Sequence, residues 1–174
     1  MIKRNYMLMA NYNKKSNALM NAVINTISDE EWNRKFNGFF TSIHELCSHI
    51  YICDFNWLKR FKQLRNFNVL NNEMFEKNYT FTETIFTDIT EYSTMRTKLD
   101  EIIMEFINEL ENNDFDSILK FTDSRGNKIE RKMDSLIMHT FNHEIHHRGM
   151  ISLYLDMLGK ENDYSGSLYK MDLL

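Results

Sequence analysis

The sequence predicts an all-α fold: a four-helix bundle with a small hairpin or loop insertion before the last helix. Three observations carry this. Proline is absent from the 174 residues and glycine occurs only five times, so little in the chain interrupts a helix. Apolar residues recur at helical spacing in four separate runs of about 20 residues. Serine–glutamate pairs three residues apart, the pattern of a capping box, stand at Ser28/Glu31 and Ser42/Glu45. Four amphipathic helices that share a core form a bundle, and residues 1–174 are expected to make one such domain.

Leu8, Tyr12, Leu19, Val23 and Ile27 set a first helix over about 5–27. The Ser28 box opens a short turn or helix. The Ser42 box opens a second long helix to about Leu64, with Ile43, Leu46, Ile50, Cys53 and Trp57 as its apolar stripe. Residues 65–87 are rich in Asn and aromatics without a period, which predicts a loop, with room for a short helix. A third helix is expected from about Thr90 to Glu111, turning Met95, Leu99, Ile102, Ile103, Phe106 and Leu110 inward. In 117–132, Ile118, Phe121 and Ile129 flank the turn cluster Asp123-Ser124-Arg125-Gly126-Asn127, the signature of a hairpin. Asp134 is expected to cap a fourth helix that ends at Gly159, a C′ glycine. The polar tail beyond it is expected to be irregular.

Composition narrows the function. A net charge of −4 gives no general pull towards nucleic acid. Lys3, Arg4, Lys14 and Lys15, in a first stretch without acids, read as a solvated helix face. No stretch approaches a membrane span and no signal peptide is recognisable. Cys47 and Cys53, six apart on one helix, lie on different faces and cannot bridge. A cytoplasmic protein with reduced thiols is expected.

The richest segment is His143-Glu144-Ile145-His146-His147-Arg148-Gly149. Residues four apart on a helix point the same way, so His143 and His147 can share one metal ion. A bundle metal site draws ligands from facing helices. His49, on the buried stripe of the second long helix, is the natural third ligand. His44 lies on another face, His146 is rotated about 100° from both members of the pair, and His139 extends the row as a neighbour. Cys53, one turn after His49, is a lesser candidate for a fourth ligand. Three imidazoles leave positions open for water or substrate and suit Zn, Ni, Fe or Cu.

Ser42-Ile43 followed by His49 and Trp57, then His139, Asn142, the segment from His143 to Gly149, and the closing Leu158-Gly159 resemble the DinB-like (YfiT-like) superfamily of metal-binding four-helix bundles. The resemblance covers most of the chain and implies His49, His143 and His147 as ligands of one divalent transition metal (Zn, Ni or Fe). It also implies a homodimer and, by likeness to characterised relatives, a thiol-dependent S-transferase. Such an enzyme would act on small electrophiles, with a low-molecular-weight thiol such as bacillithiol or mycothiol as cosubstrate. Where the family often has Gln after the Arg-Gly pair, this chain has Met150.

Three other readings compete. His143-Glu144-x-x-His147 matches HExxH, with Glu144 as general base of a zincin-type metalloprotease. Yet Gly149 falls one position early for HExxHxxGxxH, and no histidine follows His147. A di-iron site needs a second Glu-x-x-His, and Leu46 stands three before His49. The third is non-enzymatic: a metal-binding, stress-related bundle that engages a partner. Catalytic residues are otherwise unassigned. Glu144 reads as a polar group beside the site or at a surface. Arg148 reads as a holder of an anionic group or as a surface or dimer salt bridge. The expected partner is a small-molecule substrate, with neither nucleic acid nor membrane.

Overall fold

Helix α1 (Ile2–Ile24) runs without a break because its first 24 residues hold neither Gly nor Pro. The computed structural model describes residues 2–123 and 125–164. The Ser28 capping box is complete and opens α2 (Asp29–Asn33), which plants Trp32 in the core. Ser42 caps α3 (Ile43–Phe61) by accepting from the Glu45 backbone N–H. The Glu45 carboxylate turns instead to the backbone N–H of Thr41. Asp88 caps α4 (Ile89–Glu109) in the same manner through Glu91. A short α5 (Asn112–Asp116) leads to strands β1 (Ile118–Thr122) and β2 (Lys128–Lys132), and then to α6 (Met133–Met157).

The expected bundle is present. α1 packs most extensively on α4, and α3 on α6. No helix among the described residues is long and apolar enough to cross a membrane. β1 and β2 form an antiparallel hairpin, Ile118 opposite Lys132 and Thr122 opposite Lys128. Its turn uses Gly126 at φ +84°, and the Asp123 carboxylate accepts from the backbone N–H groups of Arg125 and Asn127. Ser124 and the tail from residue 165 lie outside the described residues.

Two expectations need correction. Asp134 does not cap the last helix. Lys132 occupies that position without a side-chain hydrogen bond, because β2 feeds directly into the helix. The Met133 N–H is taken by the Ser117 carbonyl at 2.9 Å, and Asp134 accepts from the Tyr6 hydroxyl. The inward face of the first helix is as expected only in part: Tyr12 and Ile27 are buried. Leu19 is 45% exposed, while Tyr6, Ala10, Asn13, Asn17, Met20 and Ile24 are buried. The far end of α6 behaves as predicted: Gly159 takes φ +73°, and the Lys160 N–H reaches back to the Leu155 carbonyl at 3.0 Å.

The segment 65–87 is a packed strap around one turn of 3-10 helix (Glu73–Glu76). Phe67, Leu70, Phe75 and Phe86 are buried, and Phe75 and Tyr79 lie against Phe55 of α3. Arg65 fixes its start by pairing with Asp114 at 2.8 Å and donating to the Glu109 carbonyl.

Candidate metal centre

Helical repeat puts His49, Cys53 and Trp57 in one row on α3, and His139, His143 and His147 in one row on α6. The packing of these helices brings the rows together. His49 Nε2 and His143 Nε2 are 3.2 Å apart. Two nitrogens bound to one ion at about 2.1 Å stand roughly 3.0–3.4 Å apart at common coordination angles. The pair is therefore already at ligand spacing. The His147 ring lies against both, its centroid 4.3 Å from that of His143 and 4.7 Å from that of His49, but the donor atoms close enough together to share one ion are those of His49, Cys53 and His143.

Cys53 stands closer to the centre than its sequence position suggested. Its Sγ is 3.6 Å from His49 Nε2. The donor atoms of His49, Cys53 and His143 all lie within 4.8 Å of one another, a group that could hold a metal ion. Of the other histidines, His146 lies with its ring 4.8 Å from that of His147 and His139 with its ring 6.1 Å from that of His143. His44 stacks on Trp32 and pairs with Asn33. His139 meets the edge of Trp57. His146 is exposed.

The cluster is held in the form a metal requires. Burial, and then the mutual repulsion of the rings, push His143 down to about 4 and His147 down to about 3. Burial lowers His49 as well. All three are neutral near pH 7, with lone pairs available. His143 Nδ1 and His147 Nδ1, on the side of each ring away from Nε2, are buried without a hydrogen-bond partner among the described residues. His49 Nδ1 is oriented by the Phe81 carbonyl at 3.3 Å. Burial also raises the Cys53 thiol well above its ordinary range. The donor set fits a divalent transition ion.

Directly behind the histidines lies a buried charge cluster. Glu144, one residue from His143, turns into the core, 3.6 Å from Arg96 and 3.2 Å from Arg148. Arg96 also meets Asp54 at 2.9 Å and Asp100 at 2.8 Å. Arg148 donates to Asn13 and Asn17 of α1. Glu144 takes the first of its two expected places, beside the site and not at a surface. Its carboxylate is held by Arg96 and Arg148, which opposes a role as the base of an HExxH protease. Its fixed negative charge instead raises the proton affinity of all three histidines. Arg148 is 3% exposed, so it reaches neither a substrate nor a dimer surface.

The outer wall is aromatic. The Phe40 ring lies 4.5 Å from His49 and 5.5 Å from His147. Tyr154 holds Phe40 in place by donating its hydroxyl to the Phe40 carbonyl at 2.6 Å. Gly38 lets the chain pass that hydroxyl, since any side chain there would run into it. Beyond Phe40 opens a cavity of about 230 Å³ lined by Phe39, Phe81 and Thr84 among others. Periodicity could not reveal Phe40 and Phe81, because both lie in irregular segments.

A family model, the DinB family, matches residues 1–170. No curated protein matches the sequence. Among solved structures, the chain is similar to the crystal structure of a DinB-like protein from Bacillus subtilis. The identity is 18% and the TM-score 0.63, covering 88% of this chain and 94% of that one. At that identity the likeness shows a shared fold.

Proposed function

Because this chain belongs to the DinB family, we propose that it holds one divalent transition metal on His49, His143 and His147 and acts on a small molecule there. The observation that carries the reading is the 3.2 Å approach of His49 Nε2 to His143 Nε2, with His147 against both rings. Bound there, such an ion supplies Lewis acidity, lowering the pKa of a thiol or water that reaches it. The chain provides the setting. Neutral imidazoles present their lone pairs, Glu144 places a compensating negative charge behind them, and Phe40 limits access by water. Cys53 remains a buried neighbouring thiol, because a fourth protein ligand would close the site.

The reaction is a thiol transfer. A low-molecular-weight thiol gives up its proton to solvent, and its sulfur forms a bond to an electrophilic carbon. The leaving group departs with the electrons of the broken bond. The apolar row Met138, Ile145, Leu153 and Met157, exposed along the outer side of α6, supports a homodimer. Elemental analysis of protein purified without chelators tests the site. About one equivalent of metal, lost in His143→Ala, is expected; no uptake on titration overturns the ligand set. Metal-loaded protein that conjugates no thiol to a panel of simple electrophiles overturns the transfer.

A further inference from the structure

Arg60 has no assigned role, yet its surroundings are unusual. It lies on α3 seven residues after Cys53, two helical turns along the same face. Its guanidinium carbon sits 4.7 Å from the ring centre of Trp57, 5.1 Å from Phe121 and 5.8 Å from Phe81. Its guanidinium forms no ion pair or hydrogen bond with a described residue, while its backbone carbonyl accepts from the Gln63 N–H. Asp123 is the acid whose charge it senses, but that carboxylate is occupied by its own turn. Burial lowers the pKa of Arg60. Its nitrogens are nonetheless not among the sealed atoms, so they remain open to solvent.

Aromatic rings engage the face of a guanidinium and leave its N–H edge for acceptors in the plane. A cation partly stripped of water, held by rings and offering a free fork, is built to take an oxyanion. Its position ties it to the histidines by two short routes. Phe81 offers its ring to Arg60 and its carbonyl to His49. Trp57 touches Arg60 on one side and His139 on the other, and His139 neighbours His143. Arg60 stands eleven residues after His49 on α3, a rise of about 16 Å along the helix, a span for one elongated small molecule.

We propose that Arg60 anchors the anionic group, a carboxylate or a phosphate, of the small molecule whose other end reaches the histidine cluster. The substrate class is therefore an acid. This rests on the reading of the cluster as a reaction centre, but capture of the anion can be measured separately.

Trp57 reports on its neighbour. Titrating the protein with succinate or with inorganic phosphate, at constant ionic strength, is expected to give a saturable change in Trp57 fluorescence. Which of the two saturates at lower concentration identifies the group. Arg60→Met keeps the stem over the rings and is expected to abolish the change, while Arg60→Lys retains part of it. A response that persists in Arg60→Met, or none in the parent protein, overturns the anion site.

Metal-loaded protein is then compared on 2-mercaptoethanol and on mercaptocarboxylates of rising length. The acids are expected to be favoured about tenfold or more in kcat/KM, as for a charge-assisted hydrogen bond. Arg60→Met is expected to remove that preference, lowering kcat/KM for the acids about tenfold more than for the neutral thiol. Equal losses for both thiols would mean that Arg60 only clasps the hairpin to α3, and would overturn the link. Turnover of no thiol at all refutes the transferase reading alone, and the fluorescence titration still decides the anion site.

Discussion

Asp54→Asn and Glu144→Gln each remove one carboxylate from the same buried cluster, and the structure predicts very different costs. The cluster contains two guanidiniums, Arg96 and Arg148, and three carboxyl groups, Asp54, Asp100 and Glu144, all buried. Fully ionised, it would carry one uncompensated negative charge away from water. Burial, and then the charge of Glu144, raise Asp54 well above the usual carboxylate range. Glu144 is lowered: burial acts against its ionisation, and the charges of Arg96 and Arg148 outweigh it. Asp54 Oδ1 and Glu144 Oε1 are both sealed without a conventional donor. One proton on Asp54, donated to Glu144, satisfies both oxygens and balances the charge. Asn reproduces a protonated Asp, donating with its amide N–H while its carbonyl still accepts from Arg96. Asp54→Asn should therefore cost no more than about 1 kcal/mol. Glu144→Gln takes the anion from between two buried cations and should cost about 3–5 kcal/mol. That corresponds to roughly 6–20 °C in Tm for a chain of this size. Urea unfolding of metal-free protein at pH 7, followed by circular dichroism, measures both. Equal costs, or a larger one for Asp54→Asn, would refute this distribution of the proton.

Single substitutions His49→Ala, His143→Ala and His147→Ala are each expected to abolish metal retention, whereas Cys53→Ser keeps the stoichiometry; inductively coupled plasma measurements on the four proteins decide it. The histidines also set a pH window for the metal-free protein. Their folded pKa values are depressed, to about 4 for His143 and about 3 for His147, so below about pH 6.5 the unfolded chain takes up protons that the folded one refuses. Stability should fall as pH drops from about 6.5 towards about 4, and a flat urea midpoint across that range would contradict the depressed values. Tyr154→Phe removes the hydroxyl that fixes Phe40; a loss of about 1 kcal/mol and faster metal release to a chelator are expected, and unchanged release would deny Phe40 its role as a cover.

Much of the fold is readable from periodicity. α3, α4 and α6 follow their apolar stripes, α3 starts at its expected Ser42 cap, and the hairpin follows its turn cluster. α1 misleads because its inward face is polar. Asn13, Asn17 and Asn21 recur every fourth residue, a row whose meaning depends on Arg148 being buried opposite it. The same holds for Arg96, which shares a stripe with Tyr92, Leu99 and Ile103 and reads as an interruption until its three acids are seen. The histidine rows could be located because helices convert spacing into direction. Phe40, Phe81 and the cage around Arg60 could not, since loops convert nothing and only tertiary packing brings them together.

Cys53 and Asp54 are adjacent in sequence, as are His143 and Glu144, and in each pair one side chain joins the donor cluster and the next joins the ions beneath it. The scaffold therefore carries its own foundation, made by Arg96, Arg148 and the asparagines of α1, independent of any guest ion. Exchanging the outer set of side chains would leave that foundation intact. The bundle is in this sense a mount: a designer could fit a different coordination set, or none, and keep the same frame behind the same aromatic wall.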